Sequence, residues 1–170
     1  MIFDTHAHYD DEAFDADREE LLRDFPEKGI AGVINVGASL ASTKTTLALA
    51  HRYPYIYAAV GVHPDGTPEM TEKAYAWLKQ QCSDEKAVAV GEIGLDYYWP
   101  EPDRGTQRYW FRRQLRLARE AELPLIIHSR ETAKDTITML REEQSRDVGG
   151  VIHCYSYSTE WQENFWSLAL

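Results

Sequence analysis

The sequence predicts an α/β fold of the (β/α)8 TIM-barrel type, incomplete here at about six of the eight βα units. Three observations predict it. Apolar runs of strand length alternate with amphipathic stretches of helical length along the 170 residues, the pattern of a parallel sheet covered by helices. The strand runs are almost continuously apolar, as strands buried on both faces must be. Five of the six runs finish on histidine or glutamate, and in a (β/α) barrel the C-terminal strand ends gather at one mouth, where active sites lie. A full barrel takes about 250 residues. With 44% hydrophobic residues the chain can bury one substantial core, so residues 1–170 are expected to form a single domain.

The first strand is short: Ile2 and Phe3 lead into Asp4-Thr5-His6-Ala7-His8. Side chains alternate along a strand, which places Asp4, His6 and His8 on one face. Asp15 to Lys28, charged with Leu21, Leu22 and Phe25 as its apolar positions, predicts an outer helix closed by Pro26 and Gly29. Ile30 to Val36 is the second strand. Ser42 is expected to cap a helix through Arg52, stopped by Pro54, with His51 in its last turn, where a partly positive side chain suits the dipole. Ile56 to Val62 is the third strand and runs into His63-Pro64-Asp65.

Thr71 caps the next predicted helix, which carries Ala74, Trp77 and Leu78 on one side. Ala87 to Val90 is the fourth strand, followed at once by Gly91-Glu92-Ile93-Gly94-Leu95-Asp96, with Asp96 placed in a loop. An aromatic loop, Tyr97-Tyr98-Trp99, leads to a helix over about Arg104 to Ala121. Its arginines Arg108, Arg112, Arg116 and Arg119 are expected to form an outer charged face rather than a phosphate-tracking stripe. Leu125 to Ile127 is the fifth strand, ending in His128-Ser129-Arg130, and a helix from about Thr132 to Glu143 follows. Gly150 to Ile152 is the sixth, ending in His153-Cys154. Thr159 and Gln162 have the form of a capping box for a last helix.

The net charge of −10 opposes a broad nucleic-acid footprint and argues against a sequence-reading DNA-binding protein. A nuclease remains compatible, because bound divalent cations supply the positive charge that phosphates need. Cys82 and Cys154 match no metal or redox spacing. No signal peptide is apparent, and no apolar run approaches the ~20 residues that span a bilayer. A cytoplasmic protein with reduced thiols and no membrane partner is expected.

The ionisable strand ends suggest a two-ion site. His6 and His8 offer nitrogen to one ion, His128 and His153 to a second, and Glu92 bridges them as the catalytic carboxylate. Paired ions roughly 3.5–4 Å apart activate water and clamp a phosphate during its displacement. Mg, Mn and Zn are the candidate ions, and a histidine-rich shell is softer than Mg prefers.

Asp4-Thr5-His6-Ala7-His8, Gly61-Val62-His63-Pro64, Gly91-Glu92-Ile93-Gly94-Leu95-Asp96, Ile127-His128-Ser129-Arg130 and Gly150-Val151-Ile152-His153-Cys154 resemble, in order, the motifs of the TatD family of metal-dependent deoxyribonucleases. Gln107, Phe111, Gln114 and Leu115 continue the match between motifs, and the similarity spans Ile2 to Ser158. The resemblance implies a barrel of the amidohydrolase superfamily that hydrolyses DNA phosphodiester bonds with two divalent metal ions. It implies that His6, His8, Glu92, His128 and His153 are metal ligands, that His63 lines the substrate side and that Arg130 contacts phosphate.

Two departures accompany it. Asp65 stands where the family commonly has a second histidine. The family also continues through two more strands to a Thr-Asp pair whose aspartate completes the metal site, and nothing after His153 matches it. A chain ending at six strands is expected to have open barrel edges and to be poorly soluble, partly unfolded or completed by another chain, self-association included, and its His6/His8 ion is expected to be the weaker one. Two alternatives stand beside the nuclease: a catalytically impaired fragment that binds metal only, and another amidohydrolase-type reaction on an amide, lactone or phosphotriester. Glu92 stands at the bridging position where such hydrolases often carry lysine, which favours the nuclease. Tyr97-Tyr98-Trp99 either stacks bases of a single strand or packs over the following helix.

Overall fold

The computed structural model describes residues 1–170. The six apolar runs form strands β1 (Ile2–Ala7), β2 (Ile30–Val36), β3 (Ile56–Val60), β4 (Ala87–Asp96), β5 (Leu125–Arg130) and β6 (Gly150–Ile152). They make one parallel sheet in chain order, β1-β2-β3-β4-β5-β6. Helices α1 (Arg18–Arg23), α2 (Leu40–Arg52), α3 (Glu72–Gln81), α4 (Arg104–Ala121) and α5 (Ala133–Glu142) lie between successive strands, and α6 (Thr159–Trp166) follows the last. This is the expected repeat of βα units. In a flat sheet the two edge strands would stand roughly 24 Å apart, at about 4.8 Å per strand. Instead the rings of His6, on β1, and His153, just after β6, stack with centroids 3.5 Å apart. The sheet is therefore curled into an open barrel whose C-terminal strand ends converge.

Alternation divides the strands between two faces. Val33, Ile56, Val60, Leu125 and Ile127 pack beneath the helices on Leu47, Leu78, Phe111, Leu115 and Leu140 in the main core. The other face holds a small cluster of Val36, Ala59, Ala89 and Ile126. Toward the first and last strands cover thins, and Phe3 and Val151 remain about half exposed, at 51% and 48%.

Helix α4 holds two strand ends in register. Gln114, fully buried, accepts from the Val62 N–H at 2.8 Å and donates to its carbonyl at 3.0 Å. Gln107, on the same face two turns earlier, brackets Asp96 in the same way, at 2.9 Å for both bonds. Each glutamine completes the backbone hydrogen bonding of a strand end where the ladder stops, which buried peptide groups require. The arginine face of α4 carries ion pairs: Arg108 to Asp135, Arg112 to Glu142 and Glu143, Arg116 to Glu143 and Arg119 to Asp147. With acidic partners at hand these side chains form no free phosphate stripe, as expected.

Several boundaries differ from expectation. The first helix spans only Arg18–Arg23, because the Arg18 guanidinium reaches back to the carbonyls of Tyr9 at 2.5 Å and Asp11 at 2.7 Å and pins the preceding segment as turns. Ser39, not Ser42, caps α2; the Ser42 hydroxyl donates instead to Asp10 at 2.5 Å. The Thr159–Gln162 capping box does not form, and Ser158 occupies the N-cap without a side-chain bond. Strand β4 continues through Asp96, so Asp96 is a strand residue and not a loop residue.

Two glycines permit close approaches at the mouth. A Cβ on Gly61 would lie 2.8 Å from the Gly91 carbonyl carbon, so its absence lets β4 lean across β3. The Glu92 N–H then reaches the Gly37 carbonyl at the end of β2, at 2.8 Å. Gly94 has φ +153°, and a Cβ there would fall 1.9 Å from the His128 carbonyl oxygen. Gly94→Ala is expected to cost on the order of 3 kcal/mol or more in urea unfolding. Gly29→Ala, at φ +80° with open space around it, should cost only about 1–2 kcal/mol for the left-handed backbone.

Candidate metal centre

Each strand end contributes to the mouth for a local reason. His6 lies on β1, and His8 follows where pairing to β2 turns irregular. His8 is held from behind: its Nδ1–H donates to the Val36 carbonyl at 2.8 Å. A neutral imidazole carries one N–H, so the Nε2 lone pair of His8 points into the mouth. The turn after it is anchored by Asn35, fully buried, whose amide accepts from the Tyr9 N–H at 2.6 Å and donates to Asp10 at 2.8 Å and Thr46 at 2.7 Å. None of this network belonged to the expected site. A buried asparagine within an apolar strand was its one sequence signal.

At the centre is Glu92, 5% exposed. Its Oε2 lies 3.3 Å from His6 Nε2 and 3.8 Å from His8 Nε2, and its Oε1 lies 3.2 Å from His128 Nδ1. His6 Nε2 and His8 Nε2 are 3.1 Å apart. Two imidazole nitrogens and a carboxylate oxygen facing one another at these distances need a proton or a cation among them. Donor atoms of His6, Glu92 and His153 lie within 4.8 Å of one another, as do those of His63, Glu92 and His128. Neutral imidazoles and a carboxylate are the donors that zinc and related ions take, so the residues present fit a divalent cation.

Glu92 turns one oxygen toward each group. The histidines sort differently from the expected pairs. His153 stacks on His6 and belongs with the His6–Glu92 group, while His128 is joined by His63, which was expected on the substrate side. His63 and His128 meet edge to face with centroids 4.3 Å apart. The curl of the sheet decides this, since it carries the end of β6 over to β1. Arg130 stands at the rim, its guanidinium 3.8 Å from the centre of the Tyr98 ring. It lines a cavity of about 390 Å³ with His63, Glu92, His128, His153, Cys154 and Ser156. Asp65 is exposed and lies 3.4 Å from His63 Nδ1. His51, outside the mouth, bonds Asp84 at 2.9 Å.

Asp96 is the residue that sequence reasoning passed over. It is 3% exposed, and its Oδ2 lies 3.0 Å from His128 Nε2. Four hydroxyls also support the mouth. Ser129, Thr132, Thr136 and Tyr157 form one cluster, with the Tyr157 oxygen 2.9 Å from Ser129 Oγ and accepting from the Thr132 N–H at 3.0 Å. This ties the segment after His153 to the base of α5.

The titration pattern follows from the packing. Burial pushes the Glu92 carboxyl up, but hydrogen bonds from His128 and His6 outweigh it and hold the group well below the ordinary glutamate range. His128 is lowered by burial and raised more by Glu92 and then Asp96, ending above the ordinary histidine value. Burial, then the neighbouring His128, keeps His63 low; burial, then His6, does the same for His153.

The signs set a pH window. Glu92, depressed on folding, stabilises the fold above its ordinary 4.5, and that stability is lost as pH falls below it. His128, raised on folding, stabilises below its ordinary 6.5, and that stability is lost as pH rises through the folded value. His63 and His153, lowered on folding, oppose the fold as pH falls through 6.5. In chelator-treated protein, the stability of the native chain relative to Glu92→Gln should therefore be greatest between about pH 4.5 and 6.5. The difference is expected to be on the order of 2 kcal/mol, shrinking on either side, and thermal melts from pH 3 to 9 measure it.

The family model described as TatD related DNase matches residues 3–170. An uncharacterized metal-dependent hydrolase, YabD, of Bacillus subtilis is 40% identical over 160 residues, covering 94% of this chain and 63% of that protein. A protein of Erwinia tasmaniensis named 3'-5' ssDNA/RNA exonuclease TatD is 30% identical over 156 residues, covering 91% of this chain and 60% of its own length. The crystal structure of YjjV, a TatD homolog from Escherichia coli, superposes with a TM-score of 0.90 at 33% identity, covering 98% of this chain and 65% of that one. The chain thus spans about three fifths of the length of these relatives. With a family model matched over nearly every residue and the ionisable strand ends gathered at one mouth, the chain belongs to the TatD family.

Proposed function

We propose that this chain carries the metal-binding mouth of a deoxyribonuclease that hydrolyses DNA phosphodiester bonds with two divalent ions. The observation that supports this most is the buried Glu92 carboxylate shared between two histidine groups. In this reading His6, His8 and His153 hold one ion with Glu92, and His128 and His63 hold the other. Glu92 is the catalytic carboxylate. Divalent ions bound there supply Lewis acidity toward a phosphoryl oxygen and acidify water into a nucleophile.

The chain's own residues do the rest. Glu92 keeps its charge in a buried setting and so remains available as an acceptor between both groups. His8 is locked by Val36 in the tautomer that presents Nε2, and the low proton affinities of His63 and His153 keep them unprotonated near neutral pH. Arg130, at the rim, offers a planar guanidinium to a phosphate oxygen. Tyr98 beneath it is 49% exposed and Trp99 is 54% exposed, a ring pair suited to stacking on unpaired bases. In a chain of net charge −10, Arg130 provides positive charge at the rim for a phosphodiester, to which ions held by the histidines and Glu92 would add. The relative named a single-strand exonuclease supports the same class of substrate.

No helix is long and apolar enough to cross a membrane.

The deciding assay incubates single-stranded DNA with the chain and Mg, Mn or Zn and measures nucleotide release. Release that depends on metal and falls at least about 100-fold in Glu92→Gln is the expected result. Metal binding without nucleotide release would instead support the impaired fragment, and turnover of an ester or lactone without DNA cleavage would support a different hydrolase. Tyr98→Ala should weaken binding of a single-stranded oligonucleotide by about 1–3 kcal/mol, measured by fluorescence anisotropy; unchanged affinity assigns the aromatic loop to packing.

A further inference from the structure

His128 lies between two buried carboxylates, with Glu92 Oε1 3.2 Å from Nδ1 and Asp96 Oδ2 3.0 Å from Nε2. The two oxygens are not equivalent in setting. Glu92 faces the shared centre of the mouth, within reach of His6, His8 and His63. Asp96 stands on the far side of the imidazole, and His128 is the one histidine its carboxylate hydrogen-bonds. The lone-pair directions of the two ring nitrogens diverge, so one ion cannot take both Nδ1 and a carboxylate standing at Nε2.

Asp96 is also held more firmly than its neighbours in the chain. Its Oδ1 accepts from the Tyr98 N–H at 3.0 Å, and its own backbone N–H and carbonyl are bracketed by Gln107. Strand pairing sets Gly94 opposite His128 and Asp96 opposite Arg130. The missing Cβ of Gly94 lets the two strands close at that point. The carboxylate is thus a fixed acceptor aimed at one nitrogen of one candidate ligand.

We propose that Asp96 is a positioning residue that accepts the Nε2–H of His128, fixing the tautomer whose Nδ1 lone pair faces the ion position beside Glu92 and His63. The inference rests on the reading that the mouth binds metal, and it assigns Asp96 no direct bond to an ion. A carboxylate behind a ligating histidine sets ring orientation and raises ligand basicity, and its removal typically weakens metal affinity by about 10- to 100-fold. Asp96 would therefore govern one of two ions and leave the other alone.

Two measurements test it on the full chain. In Zn²⁺-loaded protein, nitrogen-15 NMR should show His128 as the Nε2–H tautomer, and Asp96→Ala should shift that Nε2–H resonance away from its hydrogen-bonded position. In calorimetric titration with Zn²⁺, Asp96→Ala should weaken one binding event by about 10- to 100-fold and spare the other. His63→Ala should weaken the same event. Asp96→Asn, which keeps the shape and one acceptor oxygen, should fall between; it carries the comparison if the alanine variant does not fold by circular dichroism. An Nδ1–H tautomer in the native chain overturns the proposal. So does Zn²⁺ affinity unchanged in both variants, or weakened equally at both events in a folded variant. Should the native chain bind no Zn²⁺, the metal reading fails and the proposal falls with it; Zn²⁺ binding with an Nδ1–H ring overturns the proposal alone.

Discussion

A carboxylate buried at 5% exposure without a cationic side chain is the constraint on which this mouth depends. Taking an ionised carboxylate out of water costs several kcal/mol even after the surroundings relax. Lysine and arginine, the usual compensating partners, are absent from around Glu92; imidazoles from β1 and β5 meet it instead. Imidazole compensates a carboxylate only by holding a proton or by sharing a cation with it. The geometry that keeps Glu92 charged therefore also gathers donor atoms that could hold a metal ion. Neutral histidine and ionised glutamate are the protonation states that metal binding requires; the low proton affinities of His63 and His153 move the mouth toward that state, and the raised one of His128 opposes it.

Donors converging within a few ångströms require strand ends that do not drift, and polar side chains behind the mouth provide this. Gln107 and Gln114 from α4 each bracket a residue at or just past a strand end. Asn35 and Asp10 pin the turn after His8, and the hydroxyl cluster around Tyr157 ties down the segment after His153. Each contact satisfies a buried polar group, and each fixes a backbone segment that carries a candidate ligand. Stability and site geometry thus share the same hydrogen bonds, so substitutions among these residues move both together.

What could be read in advance followed the kind of interaction involved. The six strands and the long helix α4 were legible because burial on both faces demands unbroken apolar runs and a helical face demands a helical period. The arginine face of α4 was legible for the same reason. Caps were less so: Ser39 and Ser42 are both suitable N-caps, and Asp10, remote in sequence, draws Ser42 away. Asp96 reads as a loop residue because the apolar run ends at Val90. Pairing with β5 and the Gln107 bracket extend the strand past that point.

The sequence by itself determined that six parallel strands would form and that five of them would end on histidine or glutamate at one mouth. Local periodicity and the parallel βα repeat suffice for that, since they set which end of each strand a residue occupies. Which histidine joins which was decided only by the tertiary structure. Curling brings β6 back to β1, setting His153 on His6 and leaving His128 with His63, and the lean of β4 across β3 carries Glu92 between the two groups. These choices depend on angles and close approaches between strands, to which a missing Cβ at Gly61 and another at Gly94 contribute as much as any charged group.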